Sequence, residues 1–200
     1  MRLPTESIMR GKLRGISALN SNPLDNGFCA VMAQNQENIC SECYSRSALQ
    51  RYTQNAQPKF SAIGKWFARP RTDKELNLIN FSSNYVRFHA HGEPLNIDHA
   101  ANFLKLAELW PNRLFALWTK RPRLVQLALV NRQKPSNLTL IYSSPKIGVI
   151  AQRPLGFDKV FTVFDYPPYN HRLNCFGKAC INCLICYIPN KIRTVNELLK

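Results

Sequence analysis

The sequence predicts an α/β fold built on a parallel sheet, because short apolar runs alternate with amphipathic helical stretches along the chain. Five runs are typical of strands, near residues 14–20, 84–90, 114–118, 138–143 and 160–164. They are too few for a closed eight-stranded barrel. We therefore expect a shortened, partial TIM-like barrel or an open sheet, with parallel strands and helices outside them. A chain of 200 residues predicts a single domain over residues 1–200.

The first half of the chain supports this pattern element by element. The run LRGISALN predicts a first strand, and the turn-rich segment SNPLDNGFC follows it. Helical patterns then cover SECYSRSALQRYTQNAQ, KFSAIGKWFARP and RTDKELNLIN, interrupted at Pro58 and Pro70. In NYVRFHAHGEP, the apolar residues Val86, Phe88 and Ala90 alternate with polar ones, which indicates a half-buried strand.

The second half continues the alternation. The stretch PLNIDHAANFLKLAELWPN predicts the clearest helix, capped by Asn96 or Asp98 and ended by Pro111. RLFALWT predicts a strand, and KRPRLVQLALVNRQ a helix with a proline in its first turn. NLTLIYSS and KVFTVFD are further strands. TVNELLK closes the chain with the pattern of a helix capping box, from Thr194 to Glu197.

The charge balance is strongly basic, with 27 Lys+Arg against 12 Asp+Glu and a formal net charge of +15. Such a surface attracts polyanions, so nucleic acid or a host protein is a candidate partner; the alternative is a basic surface with no partner. KWFARPR interleaves aromatic and cationic residues, which suits single-stranded nucleic acid or, alternatively, a helix with its aromatics in the core. WTKRPR brings Lys120, Arg121 and Arg123 to one edge of the sheet, as an anion site or a solvated helix start.

The chain has the features of a cytoplasmic protein with no membrane partner. It contains no apolar run near the ~20 residues that cross a bilayer, and its N-terminal residues lack the apolar region of a secretory signal. In a reducing compartment, seven cysteines indicate metal ligation rather than disulfides, since an odd number leaves one unpaired. Phosphate-loop and nucleophile-elbow motifs are absent from the sequence, which leaves no basis for a kinase or hydrolase.

The cysteines form two groups. The N-terminal group follows the first strand, and the C-terminal group lies in a cysteine-rich, metal-binding segment at 171–190. Their members are Cys29, Cys40 and Cys43 in the first group, and Cys175, Cys180, Cys183 and Cys186 in the second. The staggered two-residue spacers of the second group fit a [4Fe–4S] cluster better than a tetrahedral zinc site, although zinc stays open. Spacing does not decide between one cluster and two, and we expect both groups near one end of the sheet.

The N-terminal group and the strand region HAHGEP resemble the radical S-adenosylmethionine (SAM) superfamily. The resemblance implies a [4Fe–4S] cluster with one open iron on the first three cysteines. It also implies that Gly92 and Glu93 occupy the family's SAM-contacting motif. The first cysteine spacer is longer than in that family, and His91 stands in place of its first glycine. These departures favour a non-catalytic or regulatory iron–sulfur module over an enzyme, which remains the alternative.

Over nearly its whole length the chain resembles a bacteriophage family named after gene product eighty-eight of a mycobacteriophage. The resemblance is carried by Cys-x2-Cys-Tyr, by RFHAHGE, by ALWTKRP and by the cysteine-rich C-terminus. It implies a phage protein working in the host cytoplasm and implies no particular reaction. In the same strand, His89 and His91 are expected to face the cluster as ligands or proton donors; the alternative is one histidine in the core and one in solvent.

Overall fold

The computed structural model describes residues 3–51 and 53–199 and is built around one seven-stranded sheet, whose strands follow the order of the sequence. β1 spans Ser7–Ile8, β2 Ser17–Leu19, β3 Tyr85–Phe88, β4 Leu114–Thr119, β5 Leu138–Ser143, β6 Lys159–Phe164 and β7 Thr194–Leu198. β1 is antiparallel to β2, and every later strand is parallel to its predecessor. The predicted α/β class with a parallel sheet is confirmed. In the described ranges β1 and β7 are the sheet edges and do not pair, so the barrel is not closed.

The helices fall mostly between consecutive parallel strands. They are α1 Gly27–Gln34, α2 Tyr44–Arg51, α3 Gln57–Phe67, α4 Asp73–Leu76, α5 Ile97–Leu109, α6 Pro122–Ala128 and α7 Cys180–Cys183, with 3₁₀ turns at Gly11–Leu13 and Gln54–Ala56. The predicted cap of α5 is confirmed, because the Asn96 side chain accepts a hydrogen bond from the His99 amide at 3.0 Å. α6 begins at Pro122, as its sequence predicts.

The sheet has two differently covered faces. The first, which we call the helix face, carries strand residues such as Phe88, Phe115 and Leu117 and packs against α3, α5 and α6. The second, which we call the cysteine face, carries a smaller cluster that includes Trp118 and Ile141. Because side chains alternate along a strand, neighbours in one strand serve different faces. Tyr187, Cys180 and Cys186 cover the second cluster, so the C-terminal cysteine segment is part of this core.

Four elements differ from the sequence prediction. β1, α1 and α7 arise in segments for which we predicted no strand or helix. The C-terminal TVNEL forms strand β7 and not a capped helix, so the capping-box prediction at Thr194–Glu197 is wrong. Pairing with β6 along five residues satisfies the backbone of β7, and buries Val195 and Asn196. Long-range sheet pairing has here overridden a local helix signal.

Residues 172–175 cover the outer edge of β7. The amides of Asn174 and Cys175 donate to the Asn196 carbonyl at 3.1 and 3.0 Å. The Asn174 side chain accepts from the Asn196 amide at 2.9 Å and donates to the Thr194 carbonyl at 2.9 Å. The edge strand is therefore satisfied by the segment that leads into the cysteine group. Within the described residues, no helix has the length and apolar character needed to span a bilayer.

Candidate metal centre

Hydrogen bonds connect the loops after β2 and β3 at the carboxyl edge of the sheet, where the parallel strands end. The Asn20 side chain accepts from the amides of Ala90 and His91 at 2.9 and 3.0 Å. The Ser21 amide donates to the His91 carbonyl at 3.1 Å. The Tyr44 hydroxyl, at the start of α2, donates to the Ala90 carbonyl at 2.6 Å. These bonds fix the cysteine-bearing loop after β2 against the HAHGEP turn, at the edge where open α/β sheets place ligands.

Gly92 lies at the closest approach between these two loops. Its φ is +78°, and a Cβ built on it would lie 2.3 Å from the carbonyl oxygen of Ser21. Only glycine fits this left-handed conformation and this spacing. The close packing of the backbone accounts for the glycine by itself, without any contact to SAM.

Glu93 is buried and its carboxylate joins the ends of β3 and β4. It accepts hydrogen bonds from the Thr119 hydroxyl at 2.6 Å and from the Lys120 amide at 3.1 Å. Its main-chain carbonyl accepts from the side chains of Ser21 and Asn26 at 2.9 and 3.0 Å. Burial raises the pKa of the Glu93 carboxyl, against the opposing effects of Lys120 and of these hydrogen bonds. The carboxylate predicted to contact SAM therefore holds two strand ends together.

Replacing Glu93 by glutamine should lower the free energy of unfolding by about 2 kcal/mol, because an amide placed among hydrogen-bond donors leaves a buried group unpaired. The change also removes the negative charge beside Lys120. Urea unfolding measures the loss. Glu42→Gln makes the same chemical change on an exposed side chain next to Cys43 and should leave stability unaltered. Equal stability of the two variants would contradict the anchoring role.

The N-terminal cysteines lie between β2 and β3, where the charge of Glu93 acts on Cys29 and Cys40. Cys29 lies on α1, Cys40 in the following turn and Cys43 just before α2; all three are partly buried free thiols. Burial raises the pKa of the Cys29 thiol to about 12, reinforced by the charges of Glu93, Cys43 and Cys40. Burial also raises the pKa of Cys40, which Lys120 opposes. The three sulfurs thus share one electrostatic environment, in which negative charge needs a positive partner.

Lys120 supplies a positive charge in that environment. Burial disfavours its charged form, but Glu93 and then Cys40, Cys43 and Cys29 outweigh this, so the pKa of Lys120 is raised. The charge of Lys120 lowers the pKa of Cys29 and Cys40, although burial outweighs it in both thiols. The sequence placed Lys120 at this edge as part of an anion site, but did not indicate that it faces the cysteines.

The two predicted histidines have different surroundings. The sequence left two placements open: both rings facing the cysteines, or one ring in the core and one in solvent. The His89 ring lies on the helix side, with its centroid 5.0 Å from those of His99 and Phe103. Its φ of +62° turns the side chain toward α5, and neither ring nitrogen has a hydrogen-bond partner in the described part of the chain. His91 is partly buried, with Nδ1 2.6 Å from the Ser45 hydroxyl. His91 therefore adjoins the cysteine-bearing loop, whereas His89 belongs to the core.

The C-terminal cysteines lie on the cysteine face, between the segment that precedes β2 and the last strand, β7. Ile181 on α7 contacts Gly15, which precedes β2. The Lys12 ammonium, also before β2, donates to the Cys175 sulfur at 3.0 Å and to the Glu197 carboxylate at 2.7 Å. Burial, together with the charge of Cys175, raises the pKa of the Cys186 thiol to about 12. This group therefore has its own buried surroundings and its own cation.

The two cysteine groups have different neighbours. The N-terminal group borders the carboxyl edge, Ile181 on α7 packs near Gly15 before β2, and the Cys175 amide donates to Asn196 in β7. Arg87 lies on the cysteine face, with its guanidinium 3.9 Å from the centre of the Trp118 ring. The expectation that both groups lie near one end of the sheet stays a prediction.

The side chains near the cysteines do not form the ligand set of a single metal ion within the described residues. Among residues 3–51 and 53–199, no three His, Cys, Asp or Glu side chains converge as ligands of a single ion. A cubane cluster has a larger footprint than one ion and spreads its thiolates around it. Each group has a lysine near its partly buried thiols: Lys120 in the N-terminal group and Lys12 in the C-terminal group. These positive charges match the negative charge of the thiolates that would hold such a cluster. The chemistry of the residues therefore fits thiolate ligation.

Comparison with known proteins gives one positive result. The family model described as Gene product 88 matches residues 17–176, from β2 to the first residues of the cysteine-rich segment. Comparison with curated proteins and with solved structures found no match. The match confirms the resemblance to a phage family that the sequence motifs predict, and the chain belongs to the gene product 88 family.

Proposed function

We propose that this phage-family protein binds iron–sulfur clusters through its two cysteine groups and acts as a non-catalytic or regulatory module. The observation that carries the proposal is the common environment of Cys29, Cys40 and Cys43 beside Lys120 at the carboxyl edge of the sheet. The charges of these thiols oppose one another once they are ionised, and a cationic cluster core would remove that repulsion.

The C-terminal group would hold a second cluster. Its four cysteines have the staggered spacing of ferredoxin-type ligands, and Lys12 donates a hydrogen bond to the sulfur of Cys175. Hydrogen bonds to thiolate sulfur stabilise the negative charge of a ligated cluster. Because these ligands come from the segment that covers the cysteine face, losing the cluster would loosen that second core.

Metal content tests the proposal directly. Protein purified without oxygen should contain about eight iron and eight acid-labile sulfide per chain, the content of two cubanes. Cys40→Ala and Cys183→Ala should each remove about half of both, because each variant disables one site. Val31→Ala, an exposed position on the same helix as Cys29, should keep the full content.

Other metal contents have definite meanings. Iron at the wild-type level in Cys40→Ala would show that this cysteine is not a ligand and would remove the N-terminal site. Stoichiometric zinc without sulfide would overturn the iron–sulfur proposal and favour a zinc-binding protein that associates with nucleic acid.

The second candidate is a radical SAM-type enzyme, favoured by one observation. The N-terminal cysteines, Gly92 and Glu93 all border the carboxyl edge of a parallel sheet built in barrel order. However, Gly92 is required by the Ser21 contact, and both carboxylate oxygens of Glu93 are already hydrogen-bonded. Formation of 5′-deoxyadenosine from SAM under reducing conditions, lost in Glu93→Gln at unchanged iron content, would establish the enzyme instead.

A further inference from the structure

Residues 165–178, between β6 and α7, carry an unusual set of exposed aromatic side chains. Tyr166 is 63% exposed, Tyr169 is fully exposed and Phe176 is 64% exposed. Large rings are normally buried, so three on one short segment indicate a contact made outside this chain. In KWFARPR, by contrast, Trp66 and Phe67 are buried in the core, and Arg71 stacks on Trp66 at 4.2 Å. The aromatic residues suited to a nucleic acid are therefore not the ones that the sequence pattern indicates.

The segment is held in place, which allows its rings to be presented in a defined position. Beyond the Asn174–Asn196 pair, the Asn196 side chain donates to the Arg172 carbonyl at 3.1 Å. The His171 ring lies 6.3 Å from that of Phe164 at the end of β6. Pro167 and Pro168 restrict the backbone between the two tyrosines. Ordering a ligand against such a segment costs less entropy than ordering it against a flexible loop.

The charge around the rings is positive. Arg172 and Lys178 in the segment are exposed, and so are Lys191 and Arg193, which precede β7. The Asn174 contact with Thr194 brings this second pair beside the segment. Asp165 is the only acidic residue from 165 to 178. Cations thus flank the aromatic rings on a chain whose formal net charge is +15.

We propose that residues 165–178 bind single-stranded nucleic acid. The exposed rings would stack on unpaired bases, and Arg172, Lys178 and the neighbouring cations would contact phosphates. A duplex keeps its base faces stacked inside the helix and so cannot use the rings in this way. The interleaving of rings with prolines and cations also differs from the continuous apolar centre of a protein interface. Cys175 lies within this segment, but the rings and cations that carry the proposal are other side chains, so the proposal does not depend on a bound metal.

Fluorescence anisotropy with a labelled oligo-dT of about 20 nucleotides tests this site on the full-length protein. Tyr169→Ala and Phe176→Ala should each weaken binding about ten-fold, which is the typical effect of losing one stacked base. Arg172→Gln should weaken binding and make it less sensitive to salt. Leu155→Ala, at a fully exposed apolar residue outside the segment, and Lys74→Gln, at an exposed lysine, are the controls and should bind as the unmodified protein does.

Three results would overturn the proposal. Binding unchanged in the ring variants, or equally tight binding to duplex DNA, would overturn the proposal in favour of general attraction to a polyanion. Absence of binding to the oligonucleotide at low salt would also overturn it and leave a protein partner for the exposed rings. Because the substituted side chains are exposed, the variants should keep the metal content of the unmodified protein.

Discussion

Acidification from about pH 7 to about pH 5 should destabilise the protein by on the order of 2 kcal/mol for each histidine that is buried in its neutral form. Three of the four histidines are involved: His89, His91 and His99. Burial lowers the pKa of His99 to about 3, assisted by Arg121, and lowers that of His91 to about 4, assisted by Arg87. Burial also lowers the pKa of His89 well below its usual value, reinforced by His99 and Arg87.

The direction of this pH effect on stability follows from whether the folded or the unfolded state binds protons more tightly. An unfolded histidine titrates near pH 6.5. Below that pH the unfolded chain therefore binds more protons than the folded chain, in which the buried histidines stay neutral. Stability from these residues is therefore complete at neutral pH and declines as the pH falls from about 6.5 toward the folded pKa values. His91 is partly exposed and should contribute less than the other two. The raised pKa of Glu93 has the opposite effect on stability as the pH falls, but it is a single group and three histidines act against it.

Urea unfolding at several pH values measures this dependence. Typical stabilities of 5–15 kcal/mol imply that the loss would bring the protein close to unfolding near pH 5. His89→Asn removes one titrating ring at a position with φ of +62°, which asparagine tolerates, so the pH dependence should become shallower. His171→Asn, on the exposed 165–178 segment, is the matched control and should keep the original slope. A flat profile in the unmodified protein would contradict the neutral burial of these rings.

Sequence reasoning identified the elements whose local pattern agrees with their tertiary role. The strands β3 to β6 are apolar or alternating runs bounded by turn residues, and α5 has both a cap and an apolar stripe. β7 was missed because TVNEL has a capping-box pattern, and its strand conformation depends on pairing with a segment about thirty residues earlier. Contacts between distant residues leave no periodic signal in either partner.

In the candidate site, too, local features were predicted and long-range contacts were not. The cysteines and HAHGEP could be identified because ligand spacing and loop position are local features of the sequence. The cations beside the sulfurs were not, since Lys12 and Cys175 are 163 residues apart. The side to which His89 points was also unpredictable, because a positive φ inverts the alternation expected at the end of β3. Local motifs predicted the types of residue, and packing determined their partners.

Gly92→Ala should lower the free energy of unfolding by about 3–5 kcal/mol, the second large effect that the structure predicts. A left-handed conformation costs an alanine about 1 kcal/mol. The rest comes from the methyl group, which would lie 2.3 Å from the Ser21 carbonyl oxygen and must push two backbone segments apart. That movement breaks the Ser21–His91 and Asn20–Ala90 hydrogen bonds, which hold the cysteine-bearing loop against the turn.

Gly148→Ala separates the two contributions to this loss. Gly148 has a similar φ of +71°, but a Cβ there meets no atom within 4 Å, so only the conformational cost of about 1 kcal/mol applies. Urea unfolding of both variants, under the same conditions, measures the difference. If Gly92→Ala is no more destabilising than Gly148→Ala, the Ser21 contact is not rigid, and the fold does not require glycine at this position. That outcome would remove the argument that the fold alone accounts for Gly92 and would leave the SAM alternative open.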